Sequence, residues 1–149
     1  MRQKYTQGFT IVELIIVVVV IAILAVIVLS SVNGMQAKAR DNERRTDLKA
    51  VSRFLELYYI DNGYYPPYLN AGAGMSVASW RATTFPTLSN DALIPPGTGV
   101  ITLVNSTTPT TAEYGYGSNG SCVASKCTQF RLYWRSEVAG TVQTISSLN

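Results

Sequence analysis

An uninterrupted apolar run from Phe9 to Leu29 constrains this chain more than any other feature of its sequence. The run contains a single charged residue, Glu13. As an α-helix its 21 residues would be about 31 Å long, close to the thickness of the hydrocarbon core of a bilayer. A carboxylate inside such a segment is energetically costly, and a segment that served only as an anchor has no reason to keep one. The sequence therefore predicts a membrane-spanning helix in which Glu13 has a partner.

The residues before the apolar run are polar and carry two cations, Arg2 and Lys4. By the positive-inside rule these cations keep the leader in the cytoplasm, so the rest of the chain lies outside the membrane. A secretory signal peptide has a shorter apolar stretch that is followed by a small-residue cleavage site. Here polar and basic residues follow Leu29 instead. We therefore expect processing before the apolar run, between Gly8 and Phe9.

The segment Gly8–Glu13, with the sequence GFTIVE, resembles the class III signal of type IV pilins and of type II secretion pseudopilins. The resemblance implies cleavage between Gly8 and Phe9 by a membrane prepilin peptidase, N-methylation of Phe9, and polymerisation into a helical filament. A second stretch, Leu55–Pro66, resembles the end of the stalk helix in the same family. Together the two matches cover residues 1–67.

Cleavage would create a positive amine on Phe9, and this amine suggests a partner for Glu13. Paired with Glu13 of a neighbouring subunit, each group would offset the loss of the other's hydration in the membrane. The alternative is that Glu13 lies close to the membrane surface and is tolerated there, since it is only four residues from Phe9.

Composition excludes most catalytic and metal chemistry. The chain has no histidine and shows no nucleophile elbow or phosphate-binding loop, so we expect neither an enzyme nor a cofactor. Its two cysteines, Cys122 and Cys127, are too few for a zinc site. Outside the cytoplasm they are expected to form a local disulfide, and two free thiols are the alternative.

Charge is concentrated in the N-terminal part of the chain. The net charge is +3, and residues 1–59 carry all of it, because the four cations and four acids of residues 60–149 cancel. A strongly electrostatic nucleic-acid surface is therefore not expected on the distal part. Lys126, Arg131 and Arg135 are its basic candidates for such a surface.

A second helical pattern follows the apolar run. Apolar residues recur at helical spacing on one face from Leu48 to Tyr59, which predicts a stalk helix packed against a globular domain. Asn62-Gly63 is typical of a helix C-terminus. Asp61 beside it is expected to belong to this cap or turn, and a calcium ligand is the alternative.

Asp41 and Arg45 have the spacing of a helical ion pair. Arg40, Arg44 and Arg45 either face solvent or meet acids of adjacent subunits.

The distal residues predict a small sheet. Strands are expected at 100–104, 113–117, 129–137 and 141–145, and a short helix near 75–81. The predicted fold class is α+β, with a long N-terminal helix packed on a small antiparallel sheet in the manner of type IV pilins. The expected divisions are a leader (1–8), a transmembrane and filament-core helix (9–29), a stalk helix (30–60) and a β domain (61–149).

The leading functional hypothesis is a structural subunit of a type IV pilus or related filament. Its implied partners are other copies of itself, the prepilin peptidase and methyltransferase, and an assembly platform in the inner membrane. It would be a single-pass inner-membrane protein before assembly and part of an extracellular filament afterwards. The alternatives are a type II secretion pseudopilin and a minor pilin for DNA uptake or adhesion. The acidic calcium loop usual in the major pseudopilin is not evident, since the late acids are only Glu113 and Glu137.

Overall fold

The structure is a computed structural model that describes residues 8–67, 77–118, 122–123 and 125–148. The predicted leader up to residue 7 and the start of the predicted short helix at 75–76 lie outside the described residues. Two compact units divide the chain, Met1–Gln36 and Ala37–Asn149.

One long helix, α1 (Ile11–Asn62), contributes to both units. The helix ends where the sequence predicted. Gly63 has a φ of 75°, the left-handed conformation that glycine adopts most readily, and its N–H donates to the carbonyl of Tyr59 at 2.7 Å. The Asn62 side chain caps the carbonyl of Tyr58 at 2.9 Å.

The second unit contains the sheet. Its elements after α1 are α2 (Val77–Thr84), a short 3-10 helix (Asp91–Leu93), β1 (Leu103–Val104), β2 (Tyr114–Gly117), β3 (Arg131–Arg135) and β4 (Val142–Ser146). The strands lie in the order β1-β2-β3-β4. All four predicted strands are present and the α+β class is confirmed, although every strand is shorter than or offset from its predicted range.

The sheet is mixed rather than wholly antiparallel. β2 with β3 and β3 with β4 pair antiparallel, whereas β1 pairs parallel to β2 through Leu103–Tyr114 and Val104–Gly115. The chain between β1 and β2 returns to the same end of the sheet, and its Pro109 is buried. A Cβ on Gly115 would overlap the carbonyl oxygen of Ser106 and lie 3.0 Å from Cβ of Tyr133. Only glycine therefore lets this connection lie so close to the sheet.

The core joins the stalk part of α1 to the sheet. Leu48, Val51 and Leu55 of α1 are fully buried, as the helical pattern predicted, and pack in one cluster with Leu132 and Phe130. Burying each such side chain contributes roughly 1.5–3 kcal/mol. An aromatic group extends this core, and its contacts include Tyr65 on Phe130, Trp80 on Phe85 and Trp80 on Tyr116.

Candidate functional site

The N-terminal end of α1 is a capping box that the sequence analysis missed. Thr10 precedes the helix, and its N–H and hydroxyl donate to Oε2 of Glu13 at 2.9 and 2.7 Å. In return the N–H of Glu13 donates to the hydroxyl of Thr10 at 3.3 Å. The Thr-x-x-Glu spacing is the sequence signature of this motif and was readable at positions 10–13.

The expected cleavage position lies in exposed chain. Gly8, Phe9 and Thr10 are all exposed and precede the first helical residue, Ile11, and 84% of the Phe9 side chain surface is accessible. In the structure the Glu13 carboxylate accepts hydrogen bonds from Thr10. Among the described residues no cation forms a salt bridge with it. The partner predicted for Glu13 belongs to another subunit, so that role stays a prediction.

The apolar part of α1 has the dimensions of a membrane span. Within the described residues one helix is long and apolar enough to cross a membrane, over Ile11–Val28, and none of that window is buried. The window lies within the predicted span at 9–29. Seventeen of its eighteen exposed side chains are apolar, and so large an apolar surface favours cover by lipid or by other protein over contact with water.

The predicted disulfide is present between Cys122 and Cys127. Tyr65 and Cys127 exchange two backbone hydrogen bonds, at 2.9 and 3.1 Å. The chain that follows α1 is therefore fastened to the disulfide loop. Next to it, the ammonium of Lys126 lies 5.1 Å from the centre of the Tyr64 ring.

The three basic candidates for nucleic-acid contact do not share one role. Lys126 lies over the ring of Tyr64, and Arg135 donates to the carbonyls of Pro109 and Gly140 at 3.1 and 3.0 Å. Arg131 is exposed on β3. Because Arg135 is engaged in holding two loops of its own chain, the structure adds no support for this surface.

No group of three or more potential metal ligands occurs in the part of the chain that the structure describes. Asp61 is exposed in the last turn of α1, and the left-handed residue that ends this helix is Gly63.

An ion cluster centred on the buried side chain of Arg44 joins α1 to the turn after β3. The side chain of Arg44 is only 2% exposed and lies 2.5 Å from Oε1 of Glu137, 3.1 Å from Asp41 and 3.1 Å from the carbonyl of Thr111. Arg40 donates to the same Glu137 carboxylate, at 2.6 Å from Nη2 and about 3 Å from Nε. We name Arg40, Asp41, Arg44 and Glu137 the stalk ion cluster.

The stalk ion cluster corrects the expectations for these charges. Glu137 of the same chain binds both Arg40 and Arg44. Neither arginine is therefore a freely solvated side chain or one that lacks an acidic partner within its own subunit. Asp41 pairs with Arg44 rather than with Arg45, which is exposed. No local signal reveals Glu137 as the partner, since it lies 93 residues from Arg44.

The cluster also sets the pKa values of its acids. The hydrogen bonds from Arg40 lower the pKa of Glu137, partly opposed by burial, and Arg44 lowers it further. Burial raises the pKa of Asp41, but hydrogen bonds from Ser136 and from the N–H groups of Glu137 and Val138 outweigh this and lower it overall. Both carboxylates are therefore held ionised.

Comparisons with known proteins match part of the chain. Residues 3–29 match the family model described as the prokaryotic N-terminal methylation motif. Three curated relatives carry the name type II secretion system core protein G. The chain is 35% identical over 66 residues to that of Pseudomonas aeruginosa, and 33% identical over 66 residues to that of Aeromonas hydrophila; each match covers 44% of this chain and 46% of the relative. It is 39% identical over 59 residues to that of Vibrio cholerae, covering 40% of each chain.

The chain thus spans less than half the length of the curated relatives that it matches. No solved structure matched this chain.

Proposed function

Since this chain carries the N-terminal methylation motif of the prepilin-type proteins, we propose that it is a structural subunit of a pilin-like filament. One observation carries the proposal: a helix whose side chains are all exposed over Ile11–Val28 begins at Ile11, the third residue after the cut that we expect between Gly8 and Phe9. Such a surface is stable in a bilayer before assembly and among the helices of other copies afterwards. We propose single-pass anchoring in the inner membrane first and incorporation into a filament second.

Processing would leave the helix cap intact. A prepilin peptidase that cuts between Gly8 and Phe9 removes no member of the capping box, because Thr10 and Glu13 both follow the cut. The new amine on Phe9 stays positive when methylated, since an alkylated amine remains basic. It would lie one residue before the cap, at the entrance of the helix.

Assembly would pair this amine with a carboxylate of a neighbouring copy. Glu13 is suited to that role because Thr10 holds its Oε2 in one orientation at the start of the helix. In an environment without water, an unpaired amine or carboxylate is strongly unfavourable, so the pair would select the register between adjacent helices. The inner-membrane assembly platform and other copies of this chain are the partners that this function requires.

The class of filament has two candidates. The first is a type IV pilus or related surface filament, and the second is the short filament of a type II secretion system. The named relatives favour the second, although the likeness covers at most 44% of this chain. Deleting the chain from its native cells separates the two. Loss of secreted proteins from the medium with unchanged surface filaments assigns it to secretion, and loss of surface filaments with normal secretion assigns it to a pilus.

A paired substitution at the helix start tests the filament role. Glu13→Ala should abolish filaments in the sheared fraction while the processed chain accumulates in the membrane. Thr10→Ala is the matched control, since it removes the hydroxyl of the capping box but keeps the Glu13 carboxylate and the N–H of residue 10 that donates to it, and it should still assemble. Normal filament yield from Glu13→Ala would contradict the proposed pairing, and equal loss in both variants would reduce Glu13 to a capping residue.

A further inference from the structure

The stalk part of α1 has one face that the sheet does not cover, and the exposed charged residues of this face are basic. Glu56 lies on the same face but is half-buried, and it accepts hydrogen bonds from the Tyr65 hydroxyl at 2.7 Å and the Leu148 N–H at 3.0 Å. Four exposed cations, which we name the cationic stripe, lie along it: Lys38, Arg45, Lys49 and Arg53. At about 100° per residue they fall within an arc of about 80°. In the part of the chain that the structure describes, none of the four forms a salt bridge.

An acidic surface lies about 140° around the same helix. It consists of Glu43 and Asp47 of α1 and Asp91 of the 3-10 helix, which we name the acidic patch. Glu43 and Asp91 are exposed, and the half-buried Asp47 accepts a hydrogen bond from the Tyr114 hydroxyl at 2.7 Å. Glu43 and Asp47 lie one helical turn apart on α1. Burial raises the pKa of Asp47, and the charges of Glu43 and Asp91 raise it further.

The acidic patch holds negative charge without a cation to balance it. No salt bridge to Glu43, Asp47 or Asp91 is present among the described residues. The Tyr114 hydroxyl donates a hydrogen bond to Asp47 but carries no charge. Burial raises the pKa of Tyr114 strongly, and the hydrogen bond to the Asp47 carboxylate raises it further. A cationic surface docked here would relieve the repulsion among these carboxylates.

We propose that the cationic stripe of one copy docks on the acidic patch of a second copy, as a lateral contact of the filament. The inference rests on the proposed function and names the surfaces that meet in it. The three acids of the patch and the four cations of the stripe give electrostatic complementarity and fix which surfaces meet. The same helix face also carries the exposed apolar side chains of Leu57 and Ile60. An apolar surface next to the cations favours a protein partner over a nucleic acid.

The placement of the two surfaces also determines the kind of polymer. Because the stripe and the patch are different surfaces of one subunit, their contact is heterologous and leaves one of each unfilled at the two ends. A repeated contact of this kind generates an open helical array unless its rotation closes a ring. The charges therefore provide directionality and register outside the membrane, independently of Glu13.

A charge-swap experiment on the full chain tests the contact, with sheared filaments quantified from cells that have no other copy. Arg45→Glu/Lys49→Glu and Glu43→Lys/Asp91→Lys should each lower filament yield about tenfold or more, since like charges would then face each other. The combined fourfold variant should return the yield to within about threefold of wild type, because the pairs are restored with reversed sign. Lys126→Glu/Arg131→Glu is the control with the same charge change away from the stripe.

Membrane levels and near-ultraviolet circular dichroism of each variant report folding separately. Wild-type yields from both reversals, or no recovery in the fourfold variant when all variants are folded, would overturn the contact. Reversals that abolish DNA binding by the purified chain and leave filaments intact would overturn it in favour of a nucleic-acid surface. An absence of filaments of the wild-type chain from both the sheared fraction and the cell envelope would instead refute the proposed function, and the contact with it.

Discussion

Replacing Arg44 tests the role of the stalk ion cluster. Arg44→Met removes a charge whose side chain is only 2% exposed and keeps much of its volume and its apolar stem. The substitution takes from Glu137 its 2.5 Å contact, from Asp41 its 3.1 Å contact, and from the Thr111 carbonyl its donor. Glu137 would keep its contact with Arg40, whereas Asp41 would lose its salt bridge.

The expected loss of stability depends on the charges that remain after the substitution. Removing one partner of a buried ion pair costs about 3–5 kcal/mol, because the other charge is left uncompensated. Arg40 still binds Glu137, and the carboxylates are 15% and 21% exposed, so the lower end of that range applies. We expect a loss of about 3 kcal/mol in the free energy of unfolding of residues 37–149. For a unit of this size that is roughly 12 °C in the unfolding midpoint.

Tryptophan fluorescence of the full chain in detergent micelles is the suitable assay, because Trp80 and Trp134 both belong to the core of this unit. Arg40→Met is the matched control, and its effect should be much smaller because 38% of that side chain is exposed. In a double-mutant cycle, Arg44→Met with Glu137→Leu should lose less than the sum of the single changes. A change below about 1 kcal/mol for Arg44→Met would refute the reasoning.

Three further predictions concern the same unit. The lowered pKa values of Asp41 and Glu137 give stability that is complete above about pH 5 and is lost as the pH falls below their ordinary values of 3.8 and 4.5. The midpoint should therefore fall more steeply between pH 5 and pH 3 for wild type than for Glu137→Gln, and parallel profiles would contradict this. Gly115→Ala should destabilise the unit by about 2 kcal/mol through overlap with the Ser106 carbonyl, whereas Gly34→Ala, which meets nothing within 4 Å, should not; urea unfolding measures both. Replacing Cys122 and Cys127 by serine should lower the unfolding free energy by about 2 kcal/mol in the chain-entropy model, and an unchanged urea midpoint would show that the bond does not restrain the unfolded chain.

Local patterns predicted the elements that depend on local physics. Leu48, Val51 and Leu55 recur at helical spacing, and that spacing alone places them on the buried face of α1. Asn62-Gly63 predicted the end of α1 because few residues other than glycine adopt the left-handed conformation found there. The Thr10–Glu13 capping box is equally local, because its Thr-x-x-Glu spacing is visible in the sequence.

Local sequence patterns could not predict the contacts between residues that are distant in the sequence. The parallel pairing of β1 with β2 involves only two residue pairs, and two residues carry no periodicity from which a direction can be inferred. The burial of Arg44 depends on Glu137, which no spacing rule connects to it across 93 residues. An arginine in a charged helical segment predicts a solvated face, so the sequence favoured the wrong environment for this side chain.

Mass spectrometry of the chain in the filament fraction sheared from native cells tests the central claim most directly. The account predicts a chain that begins at Phe9, with the mass of one added methyl group on its amine, and that is abundant in the sheared fraction. A processed chain confined to the membrane would contradict assembly into an extended surface filament. A chain that still begins at Met1 in native cells would contradict the processing on which the whole account depends.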